Sequence, residues 1–583
     1  MSRKDDEAGS AYAGRWVARV AGQIVAHGGT PEEAREAAQK SRYKERAEIS
    51  FVPPAISPSL SPLVEQVHAA LRDQEIYLVG GAVRDALLGH VSHDLDFAVP
   101  KNAIAVARRV ANALKADFYI LDESFDAARV IVQAGSDGGA PGRQGAARAE
   151  RDVLDFSSFR KPAGSFRSGP EPTLEADQRG RDFTINSLAF DLRSRVILDP
   201  LHGAADLRSK VIRSCSAGAM QDDPVRIMRG VRLAASLGFK IDPSTREAMK
   251  AAVSGLRRIS AERQRDELFK TLEGRRPDAS LRALEMLGAL PYMMPELSDM
   301  KGVTQSAPHV ADVWEHTLSV LQYLESTLGA LGVNFEAERN NDLFTGLLSL
   351  RLGRYREHFA AHFANGFTPD RSVRALLFFA ALYHDIAKPA SKTVEAGGRI
   401  RFLGHEGAGA EVAARRAKAF NLSNDEIGRV QTIVANHMRL HFHASRLEED
   451  KQQPSRKSIY RFFRDTGEAG VDLIVLGLAD LRGVRGRTLT QETWSSGLDV
   501  ARLFLENYWE KPEETVAPPR LINGDQLMQE LDLQSGPVVG ELLAAIREAQ
   551  ASGELSSRED AIRYAQEWIR NSTRPPKDLG AES

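Results

Sequence analysis

Residues 78 to 98 read Leu-Val-Gly-Gly-Ala-Val-Arg-Asp-Ala-Leu-Leu-Gly-His-Val-Ser-His-Asp-Leu-Asp-Phe-Ala, a double-glycine turn followed by two carboxylates that open an apolar run. Side chains two residues apart on a strand share a face, so Asp94 and Asp96 would face one side of a sheet while Leu95 and Phe97 enter a core. Carboxylates placed this way can hold Mg²⁺ ions, which bind phosphates. The stretch therefore predicts a strand that presents a Mg²⁺ site to a triphosphate.

The double glycine predicts a phosphate-binding elbow. Gly80 and Gly81 follow the apolar run 76–79 and lack Cβ atoms, so backbone N–H groups can approach phosphate oxygens where the chain turns into a helix near Val83. Arg84 adds a fixed positive charge at the same place. The alternative on these residues alone is a tight turn followed by a solvated acidic edge.

The combined string, Gly-Gly-x-Val-Arg-Asp-x-Leu-Leu-Gly followed by Asp-x-Asp, resembles the head of the class II tRNA nucleotidyltransferase and bacterial poly(A) polymerase family. Members of this family extend RNA 3′ ends. The resemblance implies an α+β fold, in which a nucleotidyltransferase head with a mixed β-sheet is followed by all-α neck, HD and tail domains.

Composition restricts the class of protein. The 583 residues include 77 Lys and Arg against 79 Asp and Glu, so RNA contacts must come from local basic patches. Cys215 is the only cysteine, which excludes an internal disulfide and thiolate-cluster zinc sites and suits a reducing cytoplasm. No apolar run approaches the roughly 20 residues that cross a bilayer, and no signal segment follows the first residues. We expect a cytoplasmic protein with no membrane partner.

The length predicts several domains. Short β-rich runs alternate with helical patterns up to about residue 213, and helical patterns dominate afterwards. We expect an N-terminal extension with a Pro-rich linker (1–60), the nucleotidyltransferase head (61–213), a helical neck with nucleotide-selecting residues (214–298), an HD metal-dependent phosphohydrolase-like domain (299–490) and a helical tail (491–583).

Three further stretches of the first 150 residues predict local structure. Thr30, Pro31 and Glu33 stand in capping-box order and predict a helix that ends before residue 53. The four prolines within 53–62 predict a stiff linker. The Gly, Ala, Gln and Arg composition of 134–148 predicts a weakly ordered hairpin tip.

A third acidic ligand is implied by the resemblance. Asp155, in Val-Leu-Asp-Phe-Ser-Ser-Phe-Arg, occupies the matching strand of the family pattern and would complete the catalytic set with Asp94 and Asp96. Two metal ions there would activate the RNA 3′-hydroxyl and stabilise the leaving pyrophosphate. A solvent-exposed acid on an edge strand is the alternative for Asp155.

The string 181–190, Arg-Asp-Phe-Thr-Ile-Asn-Ser-Leu-Ala-Phe, resembles the family segment that lies on the sugar and triphosphate. Arg181, Asp182 and Asn186 would contact the nucleotide, together with the glycine elbow and Arg84. The family usually has two consecutive arginines before the Asp, whereas this chain has Gly180 at the first position.

The string Asp-Asp-Pro-Val-Arg, 222–226, resembles the family's base-selecting template, with Asp in place of Glu at its first position. A carboxylate at Asp223 and a guanidinium at Arg226 match the Watson-Crick edges of cytosine and adenine. Arg229 belongs to a dense set of arginines that would contact phosphate or nucleotide. The alternatives are a helix N-terminus at Asp223 and a solvated face of ion pairs for the arginines.

A second metal site is indicated further along the chain. The strings Trp-Glu-His-Thr-Leu, Leu-Tyr-His-Asp-Ile-Ala-Lys-Pro and Gly-Leu-Ala-Asp-Leu-Arg resemble the ligand series of the HD phosphohydrolase superfamily. The resemblance, extended by two further histidines, implies six ligands: His316, His384, Asp385, His405, His437 and Asp480. Such a set permits two metal ions, of a divalent transition metal or Mg²⁺, one of which would activate water against a phosphate ester. A lone histidine is more often a packed or surface residue.

The spacing within this series is unusual, since 67 residues separate His316 from His384. The stretch 325–372 is therefore interpreted as an insertion that could cover or reshape the cleft. Some bacterial tRNA nucleotidyltransferases carry such a domain, and by analogy the site would remove 2′,3′-cyclic or terminal phosphates from damaged RNA ends.

These motifs predict a template-independent nucleotidyltransferase that adds C and A nucleotides to tRNA 3′ ends, with Mg²⁺ in the head and with tRNA, ATP and CTP as partners. A poly(A) polymerase or an enzyme that adds only CC or only A shares the same motifs. An alternative from a different enzyme class is a phosphohydrolase that works through the HD domain and uses the head chiefly to bind RNA.

Overall fold

The computed structural model describes residues 15–20, 23–28, 31–40, 47–52, 60–133, 151–159, 172–333, 342–368 and 371–572. The predicted hairpin tip at 134–148 and most of the Pro-rich linker lie outside these ranges. The described residues form two compact units, one up to Ser209 and one from Lys210. No helix among them is long and apolar enough to cross a bilayer.

A small three-stranded antiparallel sheet opens the first unit. Strands β1 (Arg15–Val20), β2 (Gln23–Gly28) and β3 (Glu48–Val52) pair in the order β2-β1-β3, and helix α1 (Pro31–Gln39) packs on them. Val17 and Ala34 are fully buried in this layer. The predicted helix is therefore present but shorter than expected, and the strands were not predicted. The buried residues of these strands are few and small, so the alternation of apolar and polar residues that would predict strands is weak.

The head is built on a seven-stranded mixed sheet with the order β10-β9-β4-β5-β8-β7-β6, in which only β5 and β8 run parallel. Its strands are β4 (Tyr77–Val79), β5 (Asp94–Val99), β6 (Asp117–Asp122), β7 (Ala127–Gln133), β8 (Arg151–Ser158), β9 (Ala189–Asp191) and β10 (Ile197–Leu198). Its helices are α2 (Pro62–Ala70), α3 (Gly81–Leu87), α4 (Ala103–Leu114), α5 (Leu174–Gly180) and α6 (Gly203–Ser209).

One face of this sheet forms the core of the head. Phe97 and Phe156 stack at 5.0 Å between ring centroids, and Val106 and Val110 of α4 belong to the same buried cluster. Because side chains alternate along a strand, the residues beside Phe97 point to the opposite face. The packing therefore fixes Asp96 on the face away from α4, as the sequence predicts.

The second unit is predominantly helical. Its first part contains α7 (Ala219–Asp222), α8 (Val225–Leu237), α9 (Pro243–Ala252), α10 (Ala261–Glu273), α11 (Pro277–Met286) and α12 (Leu290–Met293). The ligand-bearing part contains α13 (Val313–Leu331), α14 (Leu343–Leu352), α15 (Arg356–Ala364), α16 (Val373–Tyr383), α17 (Lys388–Ser391), α18 (His405–Ala419), α19 (Asn424–Asn436), α20 (Arg439–Asp450), α21 (Arg456–Thr466), α22 (Ala469–Arg485) and α23 (Gln491–Leu505). The last part contains α24 (Gly524–Leu531), α25 (Pro537–Ser552) and α26 (Arg558–Ser572).

Three short strand pairs lie among the helices of the second unit. The domains after the head were predicted to be all-α, so this part of the prediction was incomplete. They are β11 (Val211–Ile212) with β12 (Lys240–Ile241), β13 (Gly366–Thr368) with β14 (Arg371–Ser372), and β15 (Lys392–Val394) with β16 (Ile400–Phe402). The α+β fold with a mixed-sheet head is confirmed.

The stretch 325–372, interpreted from the sequence as an insertion, starts within α13, which continues to Leu331. Its helices α14 and α15 pack mainly on neighbouring helices: Trp494 of α23 donates from Nε1 to the carbonyl oxygen of Phe344 at 2.9 Å, and Arg351 pairs with Asp499. The segment thus forms part of the helical body.

Candidate active sites

The head brings its three predicted carboxylates onto one face of the sheet. Asp94 and Asp96 lie two residues apart on β5, and Asp96 stands directly opposite Asp155 on the parallel strand β8. Neighbouring strands are about 4.8 Å apart, and paired residues of parallel strands project to the same side. Asp94 is exposed and the other two are half-buried. This spacing suits carboxylates that share metal ions.

Asp155 has a basic partner that the sequence did not reveal. Arg129 stands opposite Asp155 on β7, and its Nε and Nη2 atoms donate to the two carboxylate oxygens at 2.8 and 2.9 Å. This bidentate pair fixes the plane of the Asp155 carboxylate. Asp155 is therefore an anchored acid rather than the solvated edge acid of the alternative interpretation. Only the strand register, which residue spacing does not give, identifies Arg129.

The glycine elbow lies against the same carboxylates. Gly80 has a φ of +77°, and a Cβ atom there would stand 3.0 Å from Oδ2 of Asp96 and 3.5 Å from Nη1 of Arg181. Only glycine combines this backbone conformation with so close an approach. Gly80, Asp96 and Arg181 thus meet at one point, although they are distant in sequence.

Three of the predicted nucleotide contacts form one hydrogen-bonded chain. Arg84 pairs with Asp85 and donates from Nη1 to Oδ1 of Asn186 at 2.7 Å. Asn186 in turn donates from Nδ2 to Oδ1 of Asp182 at 3.1 Å. These polar groups are therefore fixed before any ligand enters.

Arg181 is held by an acid that the sequence analysis did not select. Its Nε donates to Oδ2 of the buried Asp177 at 3.0 Å. Arg179 does not take the place of the missing family arginine, because it pairs with Glu175 in solvent, with more than half of each side chain exposed. Open space surrounds the Cα of Gly180.

The loop that carries Asn186 is locked by a backbone contact. A Cβ atom at Gly203 would lie 2.0 Å from the carbonyl oxygen of Thr184, so α6 packs directly on this loop. Thr184 also donates its hydroxyl to Oδ2 of Asp206 at 2.7 Å.

The predicted base-selecting pair lies in the second unit. Asp223 precedes α8, but its side chain makes no capping hydrogen bond to that helix. Instead, Oδ2 of Asp223 accepts from Nη2 of Arg263 at 2.7 Å, while Oδ1 is buried and accepts no hydrogen bond within the described residues. Nη1 of Arg226 donates to the carbonyl oxygen of Ala219 at 3.3 Å. The orphaned Oδ1 is an acceptor suited to a ligand's amino group.

Arg229 lies on a different contact. Glu267 of α10 is almost fully buried and accepts from Nε of both Arg229 and Arg232, at 3.0 and 3.1 Å. Burial alone would raise the pKa of Glu267, but the charges of Arg232 and Arg229 outweigh it and hold the pKa below its usual value. This ion pair gives Arg229 a structural role within the helices. Contact with a nucleotide stays a prediction.

All six predicted ligands of the HD series converge in the second unit. His316, His384 and Asp480 form one set of three donor atoms within 4.8 Å of one another, and Asp385, His405 and His437 form another. All six residues are buried.

Asp385 joins the two sets. Its Oδ2 lies 3.3 Å from Nε2 of His384 and 3.4 Å from Nε2 of His316, while its Oδ1 lies 3.4 Å from Nε2 of His405 and 3.6 Å from Nε2 of His437. Oδ1 accepts no hydrogen bond within the described residues, whereas Oδ2 forms an ion pair with Nζ of Lys388 at 2.7 Å. Asp385 is thus a carboxylate within reach of both sets, and it would help to hold divalent ions there.

Three of the imidazoles are oriented by main-chain carbonyls. His384, His405 and His437 each place Nδ1 2.7 Å from the carbonyl oxygen of the residue three positions earlier. Nδ1 therefore carries the proton, and Nε2 keeps its lone pair toward the centre of the cluster. Imidazole nitrogens and carboxylate oxygens without thiolate fit a pair of divalent metal ions.

Charged neighbours surround the cluster. Lys388 has its Nζ 2.7 Å from Oδ2 of Asp385 and donates to Oε1 of Gln305 at 2.8 Å. His441 places Nε2 2.6 Å from Oδ2 of Asp480. The sequence analysis missed both residues, although His441 follows the ligand His437 by one helical turn and Lys388 follows Asp385 by three residues.

These charged neighbours shift the pKa values of buried groups in and beside the cluster in different directions. Burial opposes ionisation of Asp385, but the electrostatic attraction of His384 and Lys388 holds its pKa well below the usual range. Burial also favours the neutral ring of His316, yet Asp385 and Asp480 raise its pKa to about 9. Burial and the charge of Lys388 lower the pKa of the neighbouring His309 to about 4.

A cavity of about 390 Å³ opens beside the cluster. Asp385, His405, His441 and Asp480 line it on the ligand side. None of its lining residues comes from 325–372, so within the described residues the inserted segment does not cover this cavity.

Profiles of known families match the chain in the order of its predicted parts. "Poly A polymerase head domain" matches residues 76–213, "Probable RNA and SrmB- binding site of polymerase A" matches 238–301, and "HD domain" matches 313–463. "tRNA nucleotidyltransferase domain 2" matches 518–565, and a family of unknown function, DUF5678, matches 8–55.

Relatives resemble the chain over most of its length. An A-adding tRNA nucleotidyltransferase of Deinococcus radiodurans is 31% identical over 500 residues, which cover 84% of this chain and 95% of the relative. A CC-adding tRNA nucleotidyltransferase of Thermus thermophilus is 29% identical and covers 85% and 94%. A Multifunctional CCA protein of Pseudomonas fluorescens is 36% identical, but over 42% of this chain and 57% of its own.

Solved structures share the fold. A CCA-adding enzyme in an apo form superimposes with a TM-score of 0.52 at 19% identity, covering 89% of this chain and 95% of that chain. A CCA-adding enzyme with CTP gives the same TM-score and identity over 87% and 94%.

Proposed function

Because this chain belongs to the tRNA nucleotidyltransferase family, we propose that it transfers C and A nucleotides from CTP and ATP to the 3′ end of tRNA without a nucleic-acid template. The observation that carries this proposal is the register of Asp96 against Asp155, with Asp94 two residues away on the same strand. These carboxylates lie beside a glycine elbow and Arg181, where a triphosphate would bind.

Asp94, Asp96 and Asp155 would hold Mg²⁺, which when bound activates the attacking hydroxyl and neutralises the triphosphate. Arg129 orients the Asp155 carboxylate. Arg84 and Arg181 supply fixed positive charge next to the elbow, whose backbone N–H groups can approach phosphate oxygens. Asp182 and Asn186, already linked by a hydrogen bond, would bind the sugar.

Base choice is assigned to Asp223 and Arg226. The unoccupied acceptor Oδ1 of Asp223 would receive the exocyclic amine of cytosine or adenine, and Arg226 would donate to a ring nitrogen or carbonyl. Guanine and uracil present an oxygen in place of that amine. An unpaired carboxylate facing that oxygen would cost about 1 to 3 kcal/mol.

A specific observation favours a second candidate, an enzyme that adds only part of the CCA sequence. The A-adding and CC-adding relatives match 84% and 85% of this chain, whereas the Multifunctional CCA protein matches 42%. Nothing in the motifs of the head separates these activities from complete CCA addition.

A second activity is proposed for the six-ligand cluster, hydrolysis of phosphate esters at RNA ends. His316, His384, Asp385, His405, His437 and Asp480 would hold a pair of divalent ions, of a transition metal or Mg²⁺, whose Lewis-acid chemistry supports this hydrolysis. Lys388 and His441 hold the carboxylates of Asp385 and Asp480 in place.

The test supplies the full-length protein with Mg²⁺, tRNA that lacks its terminal CCA, and CTP and ATP singly and together. Three additions ending in A from the mixture support complete CCA synthesis, whereas two C additions and no A from the same mixture support the CC-adding candidate. A second substrate, tRNA that already ends in CC, tests the A-adding candidate, which should add one A to it and nothing to tRNA that lacks CCA. A long adenosine ladder would indicate poly(A) synthesis. No extension, from protein that still hydrolyses phosphate esters, would refute the transferase proposal.

A further inference from the structure

We infer that the cavity beside the six-ligand cluster binds a nucleotide that carries two phosphate groups. One phosphate would lie at the ligand cluster, and the other would be bound by Arg399 and Arg485. This inference rests on the proposed phosphohydrolase activity and deepens it by naming the class of substrate.

The two arginines line the same cavity from separate elements. Arg399 precedes β16, and Arg485 is the last residue of α22. Within the described residues, neither guanidinium makes a hydrogen bond or an ion pair. The other cations of the cavity are committed, since Arg401 pairs with Glu395 and Lys388 with Asp385.

A single exposed arginine is usually solvated. The presence of both Arg399 and Arg485 in one cavity is what indicates a phosphate site. Two guanidinium groups without acidic partners, facing one cavity, provide the forked donors that bind phosphate oxygens bidentately. The acids of this cavity, Asp385 and Asp480, are drawn to the cluster instead. The cavity is thus lined both by residues of the ligand cluster and by two arginines that have no acidic partner within the described residues.

The element that carries Arg399 is anchored. The backbone N–H of Ile400 donates to Oγ of Ser306 at 2.7 Å, and Nζ of Lys392 donates to the hydroxyl of Thr304 at 3.0 Å. These contacts tie both strands of the β15–β16 hairpin to the segment before α13. Arg399 is therefore attached to a fixed backbone next to the cavity.

The size and lining of the cavity indicate more than inorganic phosphate. Its volume of about 390 Å³ lies within the roughly 300 to 1,000 Å³ typical of small-molecule sites. Phe402, Met438, Leu481 and Val484 give it an apolar wall. A nucleoside between two phosphates would place its base on this wall and a phosphate at each polar region.

Two sources share this chemistry, a polynucleotide end that carries a 3′-phosphate and a free nucleoside 3′,5′-bisphosphate. In the hydrolysis, the phosphorus gains an oxygen from water and its bond to the ribose 3′-oxygen breaks. That oxygen leaves as a hydroxyl with a proton from the water, and inorganic phosphate is released. The 5′-phosphate is unchanged and would remain on the arginines.

The experiment compares adenosine 3′,5′-bisphosphate with adenosine 3′-monophosphate as substrates of the full-length, Mn²⁺-loaded protein, measured as phosphate release. We expect kcat/KM to be at least about tenfold higher for the bisphosphate, because one charge-assisted contact reaches that size. The double substitution Arg399→Gln with Arg485→Gln should bring the ratio close to one, chiefly by lowering kcat/KM for the bisphosphate. Arg415→Gln is the matched control, since Arg415 is exposed on α18 and does not line the cavity.

A binding measurement separates this inference from the proposed activity. The probe is adenosine 5′-phosphate with a 3′-methylenephosphonate, which has no P–O3′ bond to break. If the wild-type protein binds this probe more tightly than the doubly substituted protein does, the two-phosphate site is supported. This holds even if the protein hydrolyses neither substrate, in which case only the phosphohydrolase proposal fails. Equal affinity in the wild-type and doubly substituted proteins, or equal kcat/KM for the two substrates in the wild type, would overturn the inference.

A third substrate distinguishes the two sources. If a short RNA ending in a 3′-phosphate is hydrolysed more efficiently than the free bisphosphate, and this advantage requires the arginines, the polynucleotide end is the ligand. The reverse order, with the same arginine dependence, would assign the site to free nucleotides.

Discussion

The head and the six-ligand cluster place their acids in contrasting environments. In the head, Arg129 binds both oxygens of Asp155, and Asp94 stays exposed at the edge of the site. In the cluster, Asp385 is buried among four imidazoles, its Oδ2 pairs with Nζ of Lys388, and its Oδ1 accepts no hydrogen bond within the described residues. Because a buried carboxylate oxygen without a hydrogen bond is costly, we expect the fold of the cluster to depend on its metal ions more than the fold of the head does.

The largest expected effect tests whether the two regions act separately. Asp96→Ala should lower the rate of nucleotide addition by about 10³-fold or more, because a metal ligand supplies several kcal/mol of transition-state stabilisation. Single-turnover extension of tRNA measures this rate. Hydrolysis of phosphate esters should be unchanged, and His384→Ala should give the reverse pattern.

Asp117→Ala is the matched control, since this acid is exposed on the edge strand β6 of the same sheet. Loss of both activities in either Asp96→Ala or His384→Ala would contradict separate sites.

Metal removal should affect the stability of the two regions unequally. A metal present at 1,000 times its dissociation constant stabilises the folded state by about 4 kcal/mol, so chelation should lower the protection of α16, which leads into His384. Hydrogen exchange measures this protection for each segment. Strand β5 should exchange at nearly the same rate with and without metal. Equal loss of protection in α16 and β5 would show that the two regions do not differ in how strongly their stability depends on metal.

A smaller effect is expected from the Asp155 pair. Arg129→Gln removes the bidentate contact that fixes the carboxylate, so the Mg²⁺ concentration for half-maximal extension should rise roughly three- to tenfold. Arg129→Lys should give an intermediate value, because lysine keeps the charge but not the fork. An unchanged Mg²⁺ requirement in Arg129→Gln would show that Asp155 does not depend on its partner.

The smallest expected effect concerns acid stability away from both sites. Glu548 of α25 pairs with Lys457, Arg461 and Arg464 of α21, and the hydrogen bond from Arg461 is the main cause that lowers its pKa to about 2. Because the pKa is lower in the folded protein, the stabilisation is complete above about pH 4.5 and is lost as the pH falls toward 2.

Glu548→Gln should therefore lower the free energy of unfolding by about 1 kcal/mol at pH 7 and have little effect near pH 2. Urea unfolding at the two pH values measures this difference. A loss of the same size at both pH values would assign the effect to packing rather than to charge.

Sequence alone predicted the parts of the fold that local patterns encode. The strand that presents Asp94 and Asp96 was predicted from its alternating apolar residues, and the structure forms it as β5 (Asp94–Val99). The six ligands of the cluster were selected by motif, and the structure brings them together. The domain limits, the nucleotide contacts and the choice of metals stay predictions.

Other features needed three-dimensional information. Arg129 is 26 residues from Asp155, and only the register of β7 against β8 places them together. Asp177 was overlooked because an acid four residues before an arginine usually indicates a solvated ion pair, whereas here it is buried beneath Arg181. The N-terminal sheet escaped prediction because its strands are short and its core is small.

The carbonyl contacts of His384, His405 and His437 also bear on how this cluster can evolve. Each ring takes its orientation from a main-chain carbonyl three residues earlier, so substitutions among neighbouring side chains leave the tautomer unchanged. Mutational drift around the cluster can therefore alter the ion it prefers or the compound it accepts without dismantling the ligands. Such tolerance would let descendants of this chain acquire new hydrolytic substrates while keeping the same six side chains.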